Sequence, residues 1–189
     1  MLAHNNKNLF VKYFVGKAPK KTQTPAAVRD GKLWEDDSVE FHFHAPGGKQ
    51  QNQYIFNSAG AIYDSRNTQA SWNGGTTVKS AVGKNFWTLE ATIPLDDLGG
   101  KDMLTGQDCK AEFCISIHDR STIHYYHWGN YTGRTYKARD IIRFNTDDSY
   151  FQLDADPLKL NTGNLQISGK GDLKGKKVQA SITPDGYSP

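Results

Sequence analysis

The 189-residue chain is poor in sulfur, in long apolar runs and in charge of one sign, and each shortage excludes a class of protein. Its two cysteines, Cys109 and Cys114, stand five residues apart. In one extended strand their Cα atoms would lie about 16 Å apart, beyond the roughly 7 Å that a disulfide spans. No CxxC pair or metal signature surrounds them, so they read as two small buried hydrophobes. No stretch approaches the ~18 apolar residues of a membrane-crossing helix, and Met1-Leu2-Ala3-His4-Asn5-Asn6 is not a signal peptide. The 23 basic and 20 acidic residues leave a net charge of only +3. Seven of the 23 basic residues cluster at 17–21 and 170–177, which read as solvated loops rather than a nucleic-acid surface. GxSxG, P-loop, HExxH and GxGxxG sequences are missing, which removes the usual signatures of nucleophilic, phosphate and dinucleotide chemistry.

What the chain does have is aromatic residues, glycine and alternation. Hydrophobic residues make up 37% and mean hydropathy is −0.68, yet aromatics reach 12% and glycines number 18. That mixture suits a β protein with many turns and a core built from a few large side chains. At 21.1 kDa it is one domain, or one domain with a short appendage. Strands are expected near residues 8–14, 38–44, 53–57, 61–65, 76–82, 86–93, 111–119 and 141–144, separated by Gly, Pro, Asn and Asp. Gly60 after Ser58-Ala59 marks a hairpin, and Pro94-Leu95-Asp96-Asp97-Leu98-Gly99 a single helical turn with a glycine stop. Val39, Phe41 and Phe43 point one way, as do Trp87, Leu89, Ala91 and Ile93, and Phe113, Ile115 and Ile117. Such alternation indicates an all-β fold, an antiparallel two-sheet β-sandwich of jelly-roll or immunoglobulin-like type.

The most informative segment is Trp34-Glu35-Asp36-Asp37-Ser38-Val39-Glu40-Phe41-His42-Phe43-His44. It delivers an exposed-looking indole to a strand whose outward face carries Glu40, His42 and His44. Indole covers apolar C–H surface while charged groups bond hydroxyls, which is good chemistry for holding a sugar. A core Trp at a strand entrance is the plainer reading.

The succession Asn8-Leu9-Phe10-Val11, the Trp34 to Glu40 block, Gln53-Tyr54 with Asn57 and Gly60, Trp87-Thr88-Leu89-Glu90-Ala91-Thr92-Ile93-Pro94 and Phe113-Cys114-Ile115 resembles the family 9 carbohydrate-binding modules over roughly residues 5–145. The resemblance implies a noncatalytic β-sandwich appended to a secreted glycan-degrading protein. It implies two aromatic rings sandwiching one or two sugar units, polar side chains bonding hydroxyls, and structural calcium, with no organic cofactor. Carried over, the first ring falls on Trp34, the hydroxyl-binding carboxylate on Glu40 and the following polar contact on Gln53; the family's Arg two residues later is Ile55 here. The second ring belongs to the segment Trp128 to Tyr136, where Trp128, Asn130, Tyr131 and Tyr136 are the candidates. An oligosaccharide or polysaccharide is then the expected partner, with other domains of a larger enzyme or a neighbouring chain, and neither nucleic acid nor membrane. The expected location is extracellular or periplasmic, although the chain as given begins without a signal peptide.

The ends depart from the family. The chain starts just ahead of the Asn8 strand, without the opening strands that members usually show. Residues 1–149 therefore read as the module, and residues 150–189 as an extension. In that extension Leu165, Ile167, Val178, Ala180 and Ile182 flank Gly171 to Gly175 as an amphipathic hairpin, packed on the sandwich or starting another domain.

Weaker constellations remain. His42 and His44 lack a third metal ligand at a recognisable spacing, and His124 and His127 bracket Tyr125-Tyr126 in an expected loop mouth. Asp36, Asp37, Asp64, Asp119, Asp147 and Asp148 are oxygen donors for calcium or ordinary turn residues; the metal site is otherwise unassigned. Glu40 and Glu90 as a glycosidase pair would need carboxyls about 5 to 9 Å apart across a cleft. The alternatives to sugar binding are a haem-binding electron-transfer domain of the same sandwich type and a structural spacer without ligand. Haem requires axial ligands such as His and Met, and only Met1 and Met103 exist.

Overall fold

A computed structural model describes residues 1–119, 122–128, 140–144, 150–154 and 166–170. Within these, β1 (Leu2–His4), β2 (Asn8–Val15), β3 (Ser38–His44), β4 (Gln51–Asn57), β5 (Ile62–Arg66), β6 (Thr77–Val82), β7 (Trp87–Pro94), β8 (Asp108–Asp119), β9 (Thr122–Trp128) and β10 (Asp140–Arg143) build two antiparallel sheets. One sheet runs β1-β2-β7-β6. The other runs β10-β8-β3-β4-β5, with β9 pairing the length of β8 beyond β10. A third pair, β11 (Tyr150–Asp154) and β12 (Gln166–Lys170), comes beside β1. The protein is a β-sandwich, and the described helix is limited to α1 (Lys101–Leu104) and short 3-10 turns. None of these is long and apolar enough to cross a membrane.

Alternation creates the core. On β2 the residues Leu9, Val11, Tyr13 and Val15 are buried between more accessible ones, and on β7 Trp87, Leu89, Ala91 and Ile93 are. They meet Val39, Phe41 and Phe43 of β3 and Tyr54 and Phe56 of β4 in one cluster. Stacked and tilted rings fill it, with Phe41 5.2 Å from Phe113 and 6.2 Å from Tyr54. Tyr13 crosses from one sheet to the other, where its hydroxyl donates to the Glu40 carbonyl at 2.5 Å. Burial holds that phenol well above its usual pKa, so it stays a donor.

The hairpin at Gly60 forms as expected between β4 and β5. Gly60 adopts φ +87°, and its amide donates to the Asn57 carbonyl at 3.0 Å. Gly60→Ala is expected to cost about 1 to 2 kcal/mol, because a Cβ disfavours the left-handed region although space for it exists. A lowered urea midpoint with unchanged slope checks this. The turn Leu95–Leu98 also forms, ended by Gly99 at φ +115°.

One element differs from the sequence reading. The stretch with His124 and His127 is strand β9 rather than a loop, because it pairs with a β8 long enough to hold two partners on one edge. In the C-terminal extension, Gln166–Lys170 pairs with Tyr150–Asp154, a pairing that was not expected; Leu165, Val178, Ala180 and Ile182 of the expected hairpin lie outside the described residues.

Candidate functional site

The face of β3 turned away from the core carries Ser38, Glu40, His42 and His44, one every second residue. Register then decides what stands beside them. Glu40 is opposite Ile55 of β4 and Cys114 of β8, and His42 is opposite Gln53 and Glu112. Further out, Ile55 is opposite Tyr63, Cys114 opposite His127, and Ser116 opposite Tyr125. With strands about 4.8 Å apart, the row Tyr63, Ile55, Glu40, Cys114, His127 runs about 19 Å across the sheet.

Polar groups in this row bond those of the next, which holds His42, Gln53 and Glu112. Nε2 of His42 donates to Oε2 of Glu40 at 2.9 Å, and Nε2 of Gln53 reaches the same oxygen at 3.4 Å. Glu40 is only 5% exposed and His42 3%, so the carboxylate depends on these donors. Next to them Nδ1 of His127 lies 3.0 Å from Oε1 of Glu112 and 3.1 Å from Sγ of Cys114. Burial, and then the charges of Glu40 and Glu112, push the Cys114 thiol far above its usual pKa. His44 is held below its ordinary value by burial, by His42 and by Lys110. Ser38 Oγ, Ser116 Oγ and both ring nitrogens of His118 are buried without a hydrogen bond, although His118 Nδ1 is 3.3 Å from Oδ1 of Asp37. Buried polar atoms are nearly always satisfied, so these four atoms have partners other than the described residues.

Trp34 reaches the same face from the 3-10 turn Leu33–Glu35. Leu33 anchors that turn by packing with Ile55, Ala61 and Tyr63. The Trp34 ring stays 42% exposed and stands edge-on to Tyr63, 5.7 Å between centroids and 89° between planes. Two buried aspartates fix the segments around it. Asp36 accepts from the amides of Gln23 at 2.8 Å and Thr24 at 3.1 Å, and from Nδ2 of Asn57 at 3.0 Å. Asp37 accepts from the amides of Lys20, Lys21 and His118 at 2.5, 3.1 and 2.6 Å. On the far side of the row Tyr125 is 50% exposed, and burial and the Glu40 charge raise its hydroxyl.

The structure thus brings Trp34, Glu40 and Gln53 to one face. Trp128 ends β9 in register with Phe113, and Asn130, Tyr131 and Tyr136 lie outside the described residues. Sequence reasoning missed Tyr63, Glu112, Cys114 and Tyr125, and placed His127 in a loop. The signal for β9 was the alternation of Ile123, Tyr125 and His127. Cys109 is a core hydrophobe as expected; Cys114 is as buried but turned to the polar face.

Most oxygens of the described aspartates already accept from protein donors, while Asp64 Oδ1 has no hydrogen-bond partner among the described residues. Asp36 and Asp37 are filled by N–H donors, Asp64 binds Arg29 at 2.6 Å and the Gly74 amide at 2.9 Å, and Asp119 binds Lys20 at 2.6 Å. Calcium needs several converging oxygens free of such donors; Asp147 and Asp148 lie outside the described residues. Glu90 is on the outward face of the other sheet, paired with Lys12 at 2.7 Å, so it shares no cleft with Glu40. Met103 packs against the core.

No protein-family profile matches the chain, and no curated protein matches it. Among solved structures, a Bacteroides uniformis protein provisionally described as carbohydrate-binding has TM-score 0.59 at 20% identity, covering 72% of each chain. A family 9 carbohydrate-binding module from Caldicellulosiruptor kristjanssonii is similar with TM-score 0.46 at 16% identity. Its complex with glucose aligns over 64% of this chain and 59% of that one, and its complex with cellotriose over 64% and 57%. The likeness to the Bacteroides protein shows the shared fold.

Proposed function

We propose that this protein is a noncatalytic carbohydrate-binding module, an accessory part of a secreted glycan-degrading protein, acting outside the cytoplasm. The observation that carries the reading is an exposed indole, Trp34, at the side of a sheet face whose buried Glu40 and His42 are bonded to each other, with the half-buried Gln53 reaching the same Glu40 oxygen. Exposed rings cover the apolar faces of a pyranose, and preorganised polar groups bond its hydroxyls. The second ring is assigned to the segment Trp128 to Tyr136, as the family resemblance implies. The sequence resemblance to family 9 modules agrees with this reading.

One or two sugar units held by two rings and a few hydroxyl bonds would bind with about 4 to 8 kcal/mol, millimolar to micromolar affinity. A glycan array on the purified chain should find a ligand, and calorimetry should then show Glu40→Gln binding it about tenfold more weakly, since bonds to charged groups are the stronger ones. An array without any bound glycan, or equal affinity in Glu40→Gln, would overturn the assignment.

A further inference from the structure

Beside the proposed sugar row, we propose that Glu112, Cys114 and His127 form a site for a thiophilic divalent cation of the zinc class. Their ligand atoms all lie within 4.8 Å of one another. Nδ1 of His127 is 3.0 Å from the Glu112 oxygen and 3.1 Å from the Cys114 sulfur. Zinc at its usual bond lengths, about 2.0 to 2.3 Å in a tetrahedron, separates such ligand atoms by about 3.3 to 3.6 Å. The two distances from His127 therefore need to open by only a few tenths of an ångström, and the Glu112–Cys114 separation, within 4.8 Å, needs at most about 1 Å of closure.

The backbone holds them ready for this. Glu112 and Cys114 are two apart on the same face of β8, and His127 is directly across from Cys114 on β9. All three come from paired strands, which keep their spacing better than loops do. The mixture of thiolate, imidazole and carboxylate matches zinc rather than calcium, which takes oxygens alone.

A second observation points the same way. The Glu112 and Glu40 side chains are 10% and 6% exposed, on adjacent strands. Buried charges must be paired or coordinate metals, and among the described residues the hydrogen-bond partners of these two are imidazoles and an amide rather than Lys or Arg. A divalent ion would neutralise Glu112 and the Cys114 thiolate together, the thiol proton leaving to solvent. With three protein ligands the fourth position stays open, as in sites that keep a bound water. Glu40, opposite Cys114, is placed to accept from that water.

The test is independent of sugar binding. Chelator-stripped full chain, kept reduced, is titrated with Co²⁺ and followed by absorption. A thiolate-to-cobalt charge-transfer band saturating at one equivalent, and removed by Zn²⁺ but not Ca²⁺, is expected. Cys114→Ser should abolish the band, His127→Gln should weaken Co²⁺ binding at least tenfold, and Cys109→Ser should leave both unchanged. No band from the folded wild type, or a band that survives Cys114→Ser, would overturn the site. Sugar binding that persists while the Co²⁺ band is absent would remove the metal alone.

Discussion

Trp34→Ala is expected to remove most sugar binding while leaving the fold in place. The ring is 42% exposed and its described ring partner is Tyr63, met edge-on, so truncation opens no large cavity in the core. Stacking on an aromatic ring is worth about 1 to 3 kcal/mol, by analogy with bases on aromatic side chains. The loss therefore corresponds to about 5- to 150-fold in affinity. For a ligand that starts in the micromolar-to-millimolar range this carries binding to the edge of detection. Calorimetry against the glycan identified on the array decides it, with thermal melting as the control. Equal heats for the two proteins, at equal melting temperatures, would remove Trp34 from the site whatever the sugar proves to be.

Asp36→Ala should act through the fold instead, costing about 3 to 5 kcal/mol. The carboxylate gathers three donors, and two of them come from the segment that precedes Trp34. Without it the fully buried Asn57 amide loses one of its two acceptors, keeping the Thr24 carbonyl at 2.7 Å. The Gln23 and Thr24 amides must find water. Burial alone would raise the Asp36 pKa, but Asn57 and the amides of Gln23 and Thr24 outweigh it and hold the group below its usual value. A carboxyl lowered by folding stabilises the native state above its unfolded pKa, about 3.9, and that contribution disappears as pH falls through the folded value. Wild type should accordingly lose stability below about pH 4 more steeply than Asp36→Asn, as read by urea unfolding across pH. Parallel pH profiles would show that the charge does not hold the segment. Asp36→Ala should also weaken sugar binding, because the backbone that carries Trp34 is no longer pinned; the melting temperature separates it from Trp34→Ala, which leaves stability nearly unchanged.

The strands were legible because their cause is local. Val39, Phe41 and Phe43, or Trp87, Leu89, Ala91 and Ile93, alternate with polar residues, and a period of two leaves one choice of buried face. Gly60 and Gly99 were legible for a related reason: each lies where the chain takes a positive φ that other residues resist. Half of the candidate site could also be read, because Trp34, Glu40 and the strand between them occupy one short segment. The rest depended on partners. That β8 is long enough to carry β10 and then β9 along one edge is a property of the assembled sheet. Only that pairing turns the stretch around Tyr125 from an expected loop into a strand.

By itself, then, the sequence determined the all-β architecture, the residues of the core and the outward position of Glu40 and His42. The tertiary structure alone decided that Gln53 and His42 share one oxygen of Glu40, and that Cys114 meets His127 and Glu112 instead of acting as a plain core residue. The physical reason is that alternation fixes which face a side chain occupies, whereas its neighbours across the sheet follow from strand order and register, which are set by contacts between segments far apart in the chain.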